Sequence, residues 1–174
     1  ERLDSNKFQI DPLSLKDYQK LFESISPVEH IIYLWSLDLT DIRQSAPACI
    51  NIIYLIQGLA HAKWPKSPRL SLITSGVNQI LTSKRADNNI EQSTVWGVAK
   101  VIDLEHPELK CVCVDIDFNG NKASDAKLLL SMISGPNHEN QIILRNNNAY
   151  VPKIQPYQYI DSDSIPELET NASY

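Results

Sequence analysis

The chain has 174 residues, a formal net charge of −5 and a pI near 5.3. This length suits one domain, and the 43% share of hydrophobic residues is ordinary for a globular protein. The acidic balance argues against a nucleic-acid partner, which requires a clustered basic face. No apolar run approaches the ~20 residues that a membrane-spanning helix needs.

The N-terminus and the cysteines both bear on where the chain works. The first residues, ERLDSNKF, contain neither an initiating Met nor the apolar core of a signal peptide, so we expect a segment of a longer polypeptide. Cys111 and Cys113 are two residues apart on a predicted strand and should share a face as small core side chains. The three cysteines provide no disulfide framework, which favours a reducing, cytoplasmic location.

Residues 1–29 predict a short N-terminal arm followed by a helix. The first eleven residues are polar and indicate an arm or a short edge strand. Asp11 and Pro12 favour a helix start, with Asp11 as the N-cap and the proline in the first helical position. Apolar side chains then recur at helical spacing from Leu15 to Phe22, and Pro27 should end this segment.

Two apolar runs have the length and the β-branched content of strands in a parallel sheet. They are His30–Leu37 and Leu70–Ile73, and Gly76 should end the second run. The first run shows little polar alternation, which predicts that both of its faces are covered. Between them, residues 48–62 predict a helix that Trp64 and Pro65 end. The expected apolar face of that helix consists of Cys49, Ile52, Ile53, Ile56, Leu59 and Ala60.

The stretch Ser93–Leu109 organises the second half of the chain, after a polar loop at residues 78–89. Its apolar residues fit one face of a helix, and Pro107 should end that helix near Glu105 or His106. Trp96 lies next to Gly97, and the missing side chain at Gly97 should allow close packing against a neighbouring strand. The apolar positions of this predicted helix are Val95, Val98, Ala99, Val101 and Ile102.

The remaining segments predict a strand, a helix and a hairpin. Residues 111–118 have the character of a buried strand, and Asn119 with Gly120 marks a turn. A helix should follow from Ser124 as N-cap to Ser134, with Gly135 after its end. Residues 141–154 predict an antiparallel hairpin around an Asn-rich turn. Alternating strands and helices indicate an α/β three-layer sandwich with right-handed crossovers over residues 1–156, and residues 157–174 predict an acidic, polar linker or tail.

The sequence lacks the glycines of a dinucleotide site. Such a site needs glycines where the first strand meets its helix, so that the backbone can approach the pyrophosphate. The turn after Asp38 contains none, and the five glycines of the chain do not form the GxGxxG spacing. We therefore expect no cofactor-binding residues in this chain.

Two residue pairs could suggest chemistry, but each has a simpler explanation. Asp115 and Asp117 have the spacing of a metal-binding pair, yet they should end a central strand where it emerges into solvent. Glu105 and His106 could act as an acid/base pair, yet His106 is also favourable near a helix C-terminus. We expect no metal site and no catalytic residue here.

Several motifs resemble one known family. The stretch Val95–Val101, VWGVAKV, is similar to the Leu-Trp-Gly-Leu-Gly-Arg-Val motif of ketoreductase domains in modular type I polyketide synthases. It is followed by Glu105–Leu109, EHPEL, as in that family. Tyr33–Asp38 and Tyr150–Lys153 resemble the family in the same order. The resemblance covers about Phe8 to Pro156 and matches the N-terminal structural subdomain, a truncated Rossmann-like half with a mostly parallel sheet and a C-terminal hairpin.

The resemblance implies a role in structure and not in catalysis. Reductases of this family use a tyrosine that is usually followed four residues later by Asn or Lys, and no tyrosine here has that spacing. The expected role is to pack against and stabilise the catalytic subdomain, which binds NADPH and reduces a β-ketoacyl chain held on an acyl carrier protein. The expected partners are that subdomain and the neighbouring synthase domains of the same polypeptide.

Two other roles and two contact surfaces follow from the same interpretation. The chain could be a pseudo-ketoreductase scaffold beside a methyltransferase, dehydratase or enoylreductase, or an independent small-molecule α/β enzyme. A docked subdomain should expose apolar surface when it is isolated. The predicted exposed side chains are Ile142, Leu144 and Val151 of the hairpin, and Pro107 and Leu109 after the organising helix.

Overall fold

The computed structural model of the chain describes residues 2–4, 6–80, 89–116, 122–135 and 139–156. Helices and strands alternate through most of this range. In chain order the elements are β1 (Arg2–Asp4), β2 (Lys7–Phe8), α1 (Leu15–Ser24), β3 (His30–Tyr33), α2 (Ser45–Ala62), β4 (Arg69–Ser75), α3 (Ser93–Glu105), β5 (Val112–Ile116), α4 (Lys122–Ser134), β6 (Gln141–Arg145) and β7 (Asn148–Tyr150).

The main sheet has five strands in the order β3-β4-β5-β6-β7. Strands β3 to β6 are parallel, and β7 runs antiparallel to β6, which confirms the predicted hairpin. Asn146 and Asn147 connect β6 to β7 with φ angles of 50° and 61°, as a two-residue type I′ turn requires. Strands β1 and β2 pair only with each other, so the N-terminal arm adds no strand to the main sheet.

Helices cover both faces of the sheet, as predicted for three layers. Successive residues of a strand point to opposite faces, so β4 contributes Leu70 and Leu72 to one core and Ile73 to the other. The first core also contains side chains of α1, α2 and α3. The second core contains Ile133 of α4 with Val114 of β5.

The crossovers do not all have the same hand. The connections through α2, α3 and α4 each step one strand further in the same direction across the sheet. Helices α2 and α3 pack on one face, whereas α4 packs on the other. Because the direction is constant, a change of face reverses the hand of the crossover. The prediction of right-handed crossovers throughout is therefore wrong.

Helices α1 and α2 pack closely, but α1 begins later than predicted. Ser14 and not Asp11 is the N-cap, and its hydroxyl accepts from the backbone N–H of Asp17. Asp11 instead accepts from the N–H of Leu13 at 2.9 Å, in the turn before the helix. At Gly58 of α2, an added Cβ would lie 2.8 Å from the Cβ of Tyr18. The glycine thus permits the close approach of the two helices.

Two other boundaries differ from the sequence prediction. Strand β3 ends at Tyr33, because Trp35–Asp38 turn into a short 3-10 helix. This strand lies at the edge of the sheet, and its Ile32 is 39% exposed, so β3 is not covered on both faces as predicted. Helix α4 begins at Lys122, so Ser124 is not its N-cap. The predicted turn at residues 119–120 and the tail at 157–174 lie outside the described residues.

The organising helix is confirmed as α3, with two corrections. It ends at Glu105, as Pro107 predicted, and Trp96 is buried. Gly97 is exposed, and no atom lies within 4 Å of an added Cβ, so the predicted packing of this glycine on a strand is wrong. Val101 is 49% exposed and is not part of the buried face. On α2, Ile53 and Ala60 likewise lie outside the buried face that the spacing predicted.

Three of the five side chains that we predicted to be exposed are covered by the fold itself. Ile142 and Leu144 of β6 are buried, and so is Leu109. Val151 is half-buried and Pro107 is exposed. The exposed large apolar side chains of the hairpin region are instead Tyr150 and Ile154. Among the described residues, no helix has the length and the apolar character to cross a bilayer.

Candidate functional site at the carboxyl edge of the sheet

The carboxyl ends of β3, β4, β5 and β6 lie at one edge of the sheet, because these four strands are parallel. Ligands of open α/β sheets bind at this edge, usually in the crevice where the strand order reverses. The described strands follow each other in sequence order, so this sheet contains no such reversal. The site must therefore be judged from its side chains.

Asp115 is the central side chain of this edge. It is completely buried, which corrects the prediction that it emerges into solvent at a strand end. Its Oδ1 accepts from the hydroxyl of Thr74 at 2.8 Å and from the N–H of Val77 at 3.1 Å. Its Oδ2 accepts from the N–H of Asn78 at 2.9 Å. Asp117, the other residue of the pair with metal-binding spacing, lies outside the described residues.

Arg145 provides the opposite charge. This residue is 6% exposed, and its Nη2 forms an ion pair with Oδ2 of Asp115. The same guanidinium donates to the carbonyl oxygens of Asn78 at 2.8 Å, Asp115 at 2.9 Å and Leu144 at 2.8 Å. Both charges are thus paired and hydrogen-bonded, which a buried ion pair needs to offset its desolvation.

In the turn after β4, the first three backbone N–H groups are all hydrogen-bonded to β5. Gly76 N–H donates to the carbonyl of Ile116 at 3.1 Å, and the next two N–H groups donate to Asp115. Consecutive backbone N–H groups at a strand end are the donors that a phosphate group uses in nucleotide sites. Here the Asp115 carboxylate is the anion that they bind.

Helix α3 and the segment before it hold the same turn from the other side. Trp96 Nε1 donates to Thr74 Oγ1 at 2.9 Å. The backbone N–H of Ser75 donates to Gln92 Oε1 at 2.9 Å, and Asn89 Nδ2 donates to the Ser75 carbonyl at 2.6 Å. The Trp96 indole therefore connects the organising helix to the buried charge pair through the hydroxyl of Thr74.

A groove of about 460 Å³ lies beside the carboxyl end of β3. The 41% exposed Trp35 is on one wall, and Asn51 of α2 accepts a hydrogen bond there from the buried hydroxyl of Tyr18. Burial raises the pKa of the Tyr18 and Tyr33 phenols above their ordinary value. Both phenols are therefore neutral near pH 7.

The Glu105 and His106 pair lies far from this edge, at the C-terminal end of α3. His106 is the C-cap of α3, and its Nδ1 lies 3.1 Å from Glu108 Oε1. Glu105 is exposed. The structure thus pairs His106 with Glu108 and not with Glu105.

The cysteines lie in the core. Cys111 and Cys113 are buried on the same face of β5 and its approach, as the sequence predicted. Burial, with a smaller contribution from Asp103, raises the pKa of Cys111 to about 12. Over the described ranges, no three His, Cys, Asp or Glu side chains are grouped as metal ligands.

A family model matches residues 19–154, which is most of the chain. Its description is "Polyketide synthase extender module SpnB, Rossmann fold domain". The chain belongs to this family. The resemblance to modular polyketide synthases and the Rossmann-like fold class that we predicted from the sequence are thereby confirmed.

Curated relatives are much longer polyketide synthases. A phenolphthiocerol/phthiocerol polyketide synthase of Mycobacterium tuberculosis is 26% identical over 157 residues, which cover 87% of this chain and 8% of that protein. The mycocerosic acid synthase-like polyketide synthase of the same species is 34% identical over 91 residues, or 52% of this chain and 4% of that protein. The chain therefore spans less than a tenth of the length of these relatives.

Solved structures with the same fold include ketoreductases. A multidomain structure with adenylation, ketoreductase and pseudo Asub parts, from a keto acid-selecting NRPS module, superposes with a TM-score of 0.74 at 18% identity over 90% of this chain and 14% of that chain. A C2-type ketoreductase from a modular polyketide synthase has a TM-score of 0.65 at 21% identity over 83% of this chain and 32% of that chain. At these identities the likeness shows the fold.

Proposed function

We propose that this chain is the non-catalytic structural subdomain of a polyketide synthase ketoreductase. In this role it packs against the catalytic subdomain and stabilises it. That partner binds NADPH and reduces a β-ketoacyl chain held on an acyl carrier protein. The present chain contributes contact area and fixed geometry, and it works in the cytoplasm, where its three free cysteines stay reduced.

The observation that carries this proposal is the occupation of the turn after β4 by Asp115. Val77 and Asn78 already donate their N–H groups to this carboxylate, and Arg145 pairs with it. A cofactor phosphate that binds at this turn would have to displace Asp115 and disrupt a buried ion pair, which costs about 3–5 kcal/mol. A cofactor with an intrinsic Kd of about 1 µM, roughly −8.2 kcal/mol, would then bind more weakly than about 100 µM.

The fraction of each related ketoreductase that this chain matches also supports a role as one part of a larger domain. In the C2-type ketoreductase, the part that matches our chain is 32% of the whole. In an A-type ketoreductase from a modular polyketide synthase, the matching part is 29%. Most of each ketoreductase thus lies outside the matching region, which leaves room for a separate catalytic half.

Two measurements test the proposal. Calorimetric titration of the chain with NADPH should show no saturable binding, and a Kd below about 100 µM, or roughly −5.5 kcal/mol, would contradict it. In a ketoreductase that contains this chain and its catalytic subdomain, deletion of the chain should shorten the half-life of reductase activity. An unchanged half-life would show that the chain does not stabilise a reductase.

A further inference from the structure

Most of the outer side of α2 is apolar although it lies on the surface, and Gln57 and His61 are its exposed polar side chains. None of the 18 residues of this helix is Asp, Glu, Lys or Arg. Its inner side packs in the core through Ile52 and Ile56, whereas Ile50 and Ile53 are 41% and 45% exposed. A surface helix normally has a charged outer side, and a helix that is apolar all round is normally buried.

Helix α3 has a matching stripe on its outer side. Gly97, Val101 and Leu104 are separated by four and three residues, so they lie on one side of the helix. Val101 is 49% exposed and Leu104 is 82% exposed. Gly97 is also exposed, with no atom within 4 Å of an added Cβ. A glycine in the middle of a helix is destabilising relative to alanine, and no contact within the described chain accounts for it.

These two outer sides form one surface. Helices α2 and α3 contact each other and pack against the same face of the sheet. Their exposed sides therefore both point away from the sheet. We call this surface the outer face and define it by Ile50, Ile53, Gly97, Val101 and Leu104.

We infer that the outer face binds helices of the ketoreductase catalytic subdomain in the same polypeptide. This inference rests on the proposed function and names the surface through which it operates. Helix α2 contains no Asp, Glu, Lys or Arg and suits the apolar centre of a permanent interface, and the exposed Lys100 and Glu105 beside the stripe of α3 suit its polar rim. A glycine on the contact side of α3 lets a partner backbone approach more closely than any other residue does.

Other occupants fit these observations less well. A membrane-surface helix carries Lys and Arg on its polar side, whereas α2 has neither and the chain has a net charge of −5. In the ketoreductases with this fold, the matching region is about a third of a longer chain. A catalytic subdomain in the same polypeptide would be present in equal amount, so a second copy of this chain is not needed to cover the outer face.

The test compares charged substitutions on two surfaces in the ketoreductase that contains this chain. Ile53→Glu and Val101→Glu lie on the outer face, and Leu130→Glu is the matched control on α4, where Leu130 is 52% exposed. All three side chains are exposed in the chain alone, so its melting temperature should change little in every variant. In the intact ketoreductase, the two outer-face variants should shorten the half-life of reductase activity at least fivefold, whereas the control should not.

Gly97→Ala should stabilise the chain alone but destabilise the intact ketoreductase. In the chain alone, alanine favours the helix and meets no neighbour, so the melting temperature should rise by about 2–4 °C. In the intact ketoreductase, the added methyl group separates the packed helices, and the activity half-life should fall. A purely local role for Gly97 would give a gain in both proteins.

The outcomes separate the inference from the proposed function. If deletion of the chain shortens the activity half-life but the outer-face variants do not, the proposed function stands and this docking surface is wrong. If deletion has no effect, the proposed function itself fails. If the chain alone is a dimer that Ile53→Glu makes monomeric, while the intact ketoreductase keeps its half-life, the outer face binds a second copy and the inference is overturned.

Discussion

The buried pair of Asp115 and Arg145 gives the sharpest prediction of stability. Asp115→Asn keeps the shape of the side chain but removes its charge, and it leaves the Arg145 guanidinium buried without a counter-charge. The side-chain NH2 group of the new asparagine also points its hydrogens at backbone N–H groups that now donate hydrogen bonds to Asp115. Removal of one partner of a buried ion pair costs about 3–5 kcal/mol. For a domain of this size, that corresponds to a fall in melting temperature of about 6–20 °C.

Thermal and urea unfolding followed by circular dichroism measure this change. Asp41→Asn is the matched control, because Asp41 also pairs with an arginine, but Arg43 is 87% exposed. The control should leave the melting temperature close to that of the wild type. The effect of Asp115→Asn should persist in about 0.5 M NaCl, since salt screens buried pairs far less than exposed ones. Equal effects of the two substitutions would refute the view that Asp115 organises this edge.

Three further predictions concern the core. Trp96→Ala should cost about 3–5 kcal/mol of unfolding free energy, whereas Trp96→Phe should cost about 1 kcal/mol for the lost hydrogen bond to Thr74; equal costs in urea unfolding would contradict this. Gly58→Ala should destabilise the chain by about 1–3 kcal/mol, because the methyl group would lie 2.8 Å from Tyr18; a raised melting temperature would show that α1 and α2 are not closely packed. Burial raises the pKa of Cys111 to about 12, above the ~8.5 of an unfolded chain. The stability that it contributes is therefore full below pH ~8.5 and declines above it by about 1.4 kcal/mol per pH unit; urea unfolding between about pH 8 and 10 should show a decline that Cys111→Ala reduces.

Sequence periodicity predicted most elements of the fold because those elements depend on local patterns. The apolar spacing of α3 and the stop at Pro107 gave its C-terminal end correctly. The predicted strand at residues 30–37 was too long, because an apolar run does not show where the backbone leaves the sheet. Trp35–Asp38 follow that strand without a break in the apolar pattern, yet they form a 3-10 helix.

The candidate site was harder to predict because its contacts join distant parts of the chain. Asp115 and Arg145 are 30 residues apart, and Thr74 is 41 residues from Asp115. The useful signal was present in the sequence: a charged residue near the end of an apolar strand that should be buried needs a partner of opposite charge. The prediction for Gly97 was wrong for a similar reason. A glycine beside a tryptophan indicates close approach, but the sequence does not show from which side.

The sequential strand order also has a consequence for how the chain folds during synthesis. Each strand of the main sheet after β3 pairs with the strand that the ribosome produced just before it. Hydrogen bonds such as those of His30 to Ser71 and of Thr74 to Asp115 each span 41 residues. A sheet with a reversed order must wait for strands from its far end before its centre is complete. Here translation at about 5–20 residues per second can extend the sheet strand by strand, as each new strand leaves the ribosome.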